Sequence, residues 1–199
     1  TKAWAAYFDG SYNLTDTVSL SLGGRYTVDK READVLRQIY FGLAGSPDMG
    51  NPGAILFRTD TDLRNGMLER EDKKFTPRVA VNWKMNPDHN LYASYSEGFK
   101  GGGFDPRLNV VGTRIPLETA RAGYAPETIE TYELGLKSAF NGGRITTNAA
   151  VFYSDYADVQ IPGSVAIDTN GDGRDDSFAG VTTNAGKAEI KGAELEAIA

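Results

Sequence analysis

Val18-Ser19-Leu20-Ser21-Leu22-Gly23-Gly24-Arg25-Tyr26-Thr27-Val28-Asp29 separates into two sets when every second residue is taken. Val18, Leu20, Leu22, Gly24, Tyr26 and Val28 form one set; Ser19, Ser21, Gly23, Arg25, Thr27 and Asp29 form the other. Neighbouring side chains of an extended chain point to opposite faces, so this strand has one apolar and one polar face. The split recurs at Phe75, Pro77, Val79, Val81, Trp83 and Met85 against Thr76, Arg78, Ala80, Asn82 and Lys84. It returns at Ile145, Thr147, Ala149, Val151 and Tyr153 against Thr146, Asn148, Ala150, Phe152 and Ser154. Weaker alternation covers residues 4–13, 90–100, 128–140 and 184–197, giving seven predicted strands, most of them about 10 to 13 residues long. Globular strands centre near 5 to 6 residues, whereas a tilted strand crossing a bilayer needs about 9 to 11. Pro77 lies near the start of its strand, where the lost donor costs least.

The connections carry a second signal. Short turns at residues 14–17, 86–89 and 141–144 take strict turns with long segments at 30–74, 101–126 and 157–183. That asymmetry predicts an all-β, antiparallel, up-and-down transmembrane β-barrel segment with short periplasmic turns and long extracellular loops. Strands beginning at Val18, Asn90 and Ile145 then run outward. Tyr12, Trp83 and Phe140 fall beside the short turns, and Tyr26, Phe75, Phe99 and Tyr153 toward the long loops, as two aromatic girdles would require.

Composition removes several function classes. The 199 residues hold no cysteine and one histidine, His89, which argues against thiol, disulfide and zinc chemistry. A formal charge of -6 without a Lys/Arg cluster argues against a nucleic-acid partner. No apolar run reaches the length of about 18 residues that a membrane helix needs. His89 sits in a predicted periplasmic turn without Ser and Asp partners placed near it, so a hydrolytic triad, and an enzyme, is not indicated. The sequence opens at Thr1-Lys2-Ala3-Trp4 without an initiator Met, and Gly192–Ala197 still alternates near the last residue, so it is expected to be an internal piece of a longer protein.

Four stretches in order then resemble one family. Residues 92–104 (Tyr92-Ala93-Ser94-Tyr95-Ser96-Glu97-Gly98-Phe99-Lys100-Gly101-Gly102-Gly103-Phe104) are similar to the outgoing barrel strand and glycine-rich rim of TonB-dependent receptors. Residues 126–137 resemble the strand that descends from that rim, and residues 150–156 and 184–196 continue the pattern. The resemblance implies that residues 1–199 are part of a receptor β-barrel of about 22 strands with a plugged lumen. It places the protein in the outer membrane of a Gram-negative bacterium, in contact with outer-membrane lipid, taking up a scarce small-molecule ligand such as a ferric siderophore. It also implies coupling to the TonB complex through an N-terminal region that, like the plug and the remaining strands, is not among these residues. A passive porin-type barrel and a soluble β-rich carbohydrate-binding module remain the alternative readings.

Ligand contacts are expected on the long loops, because binding residues concentrate on loops carried by a rigid scaffold. Tyr40, Phe41, Arg58, Arg64, Lys100, Arg107, Arg114, Arg121 and Tyr124 are the candidates, since aromatic and guanidinium groups suit planar anionic chelates. Gly101-Gly102-Gly103 lacks the Lys-Ser/Thr of a phosphate cradle and reads as a flexible loop start. The stretch 168–176 places Asp168, Asn170, Asp172 and Asp176 at calcium-loop positions 1, 3, 5 and 9 with Gly173 at 6. Ala179 stands where the bidentate carboxylate belongs, so calcium or a polar external turn are both open readings, and no other cofactor is expected. Arg25, Arg78, Lys84, Glu133, Lys137, Glu194 and Glu196 are expected on the inner face as a structural charge ladder, the alternative being contact with plug or substrate.

Overall fold

The structure is a computed structural model that describes residues 1–42, 55–107, 116–168, 172–175 and 177–199. Its strands are β1 (Lys2–Asn13), β2 (Val18–Gly42), β3 (Ile55–Asn86), β4 (His89–Lys100), β5 (Glu127–Phe140), β6 (Ile145–Ala157), β7 (Gln160–Ile167), β8 (Ser177–Asn184) and β9 (Lys187–Ile198), with one short helix, α1 (Leu117–Ala122). Seven strands form one antiparallel sheet in the order β1-β2-β3-β4-β5-β6-β9, while β7 and β8 pair only with each other. The short turns close as expected. Thr15 Oγ1 accepts the Val18 amide at 2.9 Å, Asn86 Oδ1 accepts the Asp88 amide at 2.9 Å, and Asn141, Gly142 and Gly143 take the positive φ values of 52°, 66° and 83° that a tight hairpin demands.

Register joins the alternating sets into two continuous surfaces. One row runs unbroken through Tyr12, Leu20, Val81, Ala93, Leu134, Val151 and Ala193. Val18 and Leu22 share that face with Val81 and Val151, and Val81, Leu134 and Val151 are 40%, 48% and 52% exposed. An apolar surface this continuous and this open is what hydrocarbon requires and water does not tolerate, which rules out the soluble-module reading.

The outward face also shows where the hydrocarbon ends. Tyr95, Tyr132 and Tyr153 stand on successive strands with ring centroids 5.0 and 6.4 Å apart, and Lys191 lies over the Tyr153 ring at 5.2 Å. One step further outward, Glu97, Glu130, Asp155 and Glu189 face one another in a single cross-strand row. Tyrosines followed directly by carboxylates mark a membrane–water interface. The sequence reading missed Tyr95 and Tyr132 as girdle residues, although the Trp4–Tyr26 ring pair at 5.9 Å falls at the expected level.

The inner face is polar and closely fitted. Arg78 approaches Asp9 at 4.0 Å, while Glu133 accepts the Tyr92 hydroxyl at 2.7 Å and Lys137 sits 5.4 Å from the same ring. Tyr92 lies flat over Gly135 and Phe152 over Gly192, so a glycine on one strand is shielded by a ring on the next. The expected ladder is thus partly a ring-centred network.

Two expectations about the long segments need correction. Residues 30–74 are not a loop throughout, because β2 and β3 continue past the wall as a paired hairpin, and residues 157–183 contain the β7–β8 hairpin. The outward face of the β2–β3 extension carries Lys30, Glu32 and Glu71, since above the membrane it meets water and the apolar half of the period-two signal disappears. A bulge hides the rest. Ala33 pairs with Leu68 and Val35 with Leu63, so residues 64–67 are accommodated opposite Asp34 alone, with Asn65 and Gly66 at φ 63° and 74°. The inner face therefore passes from even to odd numbers on β3.

Placing a charge on each face separates the two solvents. In the complete receptor, Val81→Arg is expected to lower stability by about 2–4 kcal/mol and Asn82→Arg by under about 1 kcal/mol, read from urea unfolding in lipid vesicles. Equal losses would mean that both faces meet water.

Candidate functional site: the external mouth

Above the membrane the inner face of the β2–β3 hairpin becomes a docking platform. Leu63 and Leu68, brought to one side by the bulge, are 3% and 1% exposed and pack with Ala120 of α1. Ala33, Val35, Phe104 and Val181 of β8 complete this small core. Three external segments are thus joined by apolar burial, and they fold inward across the lumen side of the sheet.

Polar ties fix the same segments at their base. Asp29 pairs with Arg31 at 3.0 Å on β2, and Arg70 with Asp72 at 2.8 Å on β3, with Asp29 directly opposite Asp72 and Arg31 opposite Arg70. Like charges across a ladder repel, so each arginine neutralises the carboxylate two residues along its own strand. Asp72, 7% exposed, also accepts the Gly102 amide at 2.8 Å, and Arg70 donates to the Ala122 carbonyl at 3.0 Å. Such charge-assisted bonds are stronger than neutral ones when buried. Gln160 Nε2 donates to the Gly101 and Ala125 carbonyls at 3.1 and 3.0 Å, and Asn184 Nδ2 to the Ala125 and Asp158 carbonyls at 2.9 and 2.8 Å.

Gly101, Gly102 and Gly103 are all buried, which corrects the expectation of a flexible loop start. A Cβ on Gly101 would strike the Asp29 carboxylate; one on Gly102 would strike the Tyr124 carbonyl and the Arg70 guanidinium. The glycines are needed for close approach. Gly98 to Gly101, just before the buried turn, form one side of a cleft of about 530 Å³ on the lumen face, lined also by Arg25, Thr27, Asp29, Arg31 and Thr76. Three cations meet one carboxylate there, and Asp29 Oδ1 is buried with no hydrogen-bond partner among the described residues.

The residues expected to touch ligand fall into different places. Lys100 lines this cleft, with Glu127 3.9 Å from its ammonium, and Tyr124 pairs backbone to backbone with Gly103 beside it. Arg107 forks onto Asp105 and lies across Gly180 of β8, Arg64 forks onto Asp62, and Arg121 is in the last turn of α1. Tyr40 and Arg58 are ladder partners in the hairpin, but their side chains and that of Phe41 lie outside the described residues, as does Arg114. Asp168 accepts the Gly173 amide at 2.7 Å and Asp172 the Arg174 amide at 2.8 Å, while Asn170 and Asp176 lie outside the described residues. Arg31, Asp29 and Asp72 are absent from the sequence-based candidates, and Arg25 enters them only as an inner-face charge with plug or substrate contact as its alternative role. Their signal was parity, because all four keep the numbering phase of the polar inner set.

A lipid-facing girdle, a polar inner face, tight turns at one end and inward-folded loops at the other define an outer-membrane β-barrel wall with a partly covered mouth. The chain belongs to the TonB dependent receptor-like β-barrel family, which matches residues 1–199. It is similar to the pesticin receptor of Yersinia enterocolitica, 27% identical over 194 residues that cover 97% of this chain and 23% of that one. It is also similar to the ferric-pyoverdine 358 receptor of Pseudomonas putida, 30% identical over 149 residues covering 74% of this chain and 14% of that one. Among solved structures, the ferric yersiniabactin uptake receptor FyuA from Yersinia pestis shares the fold at a TM-score of 0.57 with 24% identity, over 98% of this chain and 23% of that chain. This chain therefore spans roughly a quarter or less of the length of these relatives.

The Asp105 clamp gives a pH-dependent signature. Arg107 hydrogen bonds, aided by the Thr182 hydroxyl at 2.8 Å, hold the Asp105 carboxyl at about 2. The folded value lies below the unfolded one of about 3.9, so the clamp is fully stabilising above that pH and weakens as pH falls toward about 2. Amide protection factors, corrected for the acid slowing of intrinsic exchange, should fall around residues 105–107 and 180–182 of the complete receptor across that window, and Asp105→Asn should remove the dependence. Pulse-labelling exchange with mass readout checks it; an unchanged profile in the variant would show that the clamp does not titrate.

Proposed function

We propose that this chain is part of the barrel of a TonB-dependent receptor that takes up a ferric siderophore across the outer membrane. Family membership over the whole chain carries the reading, and the relatives, receptors for ferric pyoverdine and ferric yersiniabactin by name, point to ferric chelates. The mouth agrees with it chemically. Arg25, Arg31 and Lys100 offer guanidinium and ammonium donors to an anionic chelate, and the glycine backbone leaves room for a bulky one. Loops packed over the lumen side would obstruct a passive pore, so the cover argues for a captured ligand rather than free diffusion. Release inward would then require a plug and the TonB complex, acting through a part of the receptor other than this wall.

The test uses the complete receptor in an iron-starved Gram-negative host lacking its own siderophore receptors, with radiolabelled ferric yersiniabactin and ferric pyoverdine as probes. Uptake of one probe is expected, and it should vanish when TonB is deleted. The double variant Arg25→Ala, Lys100→Ala should raise the half-saturating concentration about tenfold, the equivalent of about 1.4 kcal/mol. Uptake that persists without TonB, or uptake of neither probe, would overturn the reading.

A further inference from the structure

We propose that Asp72 is a positioning residue for ligand capture: by holding the Gly102 amide and the Arg70 guanidinium together, it fixes the strap formed by residues 101–107 and 116–125 on the inner side of β2 and β3 and so shapes the cationic cleft. This rests on the reading that the cleft binds a ferric chelate. Asp72 is buried, and its carboxylate accepts from Arg70 Nε at 2.9 and 2.8 Å and from the Gly102 amide at 2.8 Å. Through Arg70 the same group reaches the other end of the strap at the Ala122 carbonyl. The Asp72–Arg70 pair of β3 therefore reaches both ends of the segment.

The position of the tie gives it a functional consequence. Gly102 is the next residue after Gly98–Gly101, the backbone that forms one side of the cleft, and Lys100 lies within that backbone. Loss of the tie would leave Gly101 held by Gln160 alone among the described residues and would loosen the backbone after Lys100, shifting the Lys100 end of β4 relative to Arg25 and Arg31, which are fixed on β2. Asp72 does not line the cleft, so it acts through the strap. The wall beneath is held by its own ladder, and β3 remains paired with β2 along its length.

The experiment compares the complete receptor with Asp72→Asn, Asp72→Ala and Gly102→Ala. Asparagine can still accept the Gly102 amide but cannot neutralise Arg70; the Gly102→Ala methyl would strike the Tyr124 carbonyl and the Arg70 guanidinium, so it breaks the same tie from the strap side while the Asp72 carboxylate itself is kept. Amide exchange at residues 101–103 and uptake of radiolabelled ferric yersiniabactin and ferric pyoverdine are read together. Expected are exchange faster by about tenfold or more, a half-saturating concentration raised by about tenfold or more in Asp72→Ala and Gly102→Ala and by less in Asp72→Asn, and unchanged maximal uptake. Faster exchange with unchanged half-saturation would make the tie structural only and overturn the proposal. Unchanged exchange, or a fall in maximal uptake alone, would overturn it as well. Should an Asp72 variant fail to fold, Gly102→Ala decides by the same outcomes. If the unaltered receptor takes up neither probe, the siderophore reading fails and this inference falls with it, a result distinct from failure in the variants alone.

Discussion

A backbone amide in hydrocarbon has no partner but another backbone group, and each one left unpaired costs several kcal/mol. The ladder from β1 through β9 answers that requirement strand by strand, and a closed wall needs further partners for the outer edges of β1 and β9. Everything else in the chain follows from satisfying the backbone first. Side chains are then free to differ completely on the two faces, which is why Leu20 and Val81 meet lipid while Ser21 and Ala80, their immediate neighbours, meet the lumen.

Above the carboxylate row the same two strands obey a different solvent. Water satisfies an exposed backbone, so pairing is no longer compulsory, yet β2 and β3 stay paired because their inner face acquires a new apolar partner in α1 and β8. Membrane burial and loop burial are thus consecutive uses of one hairpin. The Asp29–Arg31 and Arg70–Asp72 pairs stand at the changeover, where charges are screened by neither bulk water nor lipid and must be matched locally.

The wall was legible because a bilayer imposes an apolar side chain at every second position over a fixed length. All seven wall strands follow from that constraint; most ends shift by a few residues, as at Asn184, which closes β8 instead of opening β9, whereas β2 and β3 run more than ten residues past the expected ends. The mouth was much less legible. Its strands alternate charge with small apolar residues, Leu63 and Leu68 are five apart in sequence yet share one side, and the glycine triplet looks the same whether it is loose or tightly covered. Lys100 was reached from loop position, whereas Arg25 and Arg31 required following the inner parity past the end of the membrane. Asp72 and Gln160 act on backbone groups distant in sequence, and pairings of that kind leave no periodic trace.

The four residues set opposite Asp34 work as a phase changer. Below them the hairpin is locked in step with lipid, where slipping by a single residue would turn every greasy side chain into the lumen. Above them a fresh count begins, so a change of length or side-chain phase beyond the joint leaves the barrel's own rhythm intact. A receptor under pressure to change what it recognises, but unable to alter how it sits in the membrane, has in this joint a place where the two demands come apart.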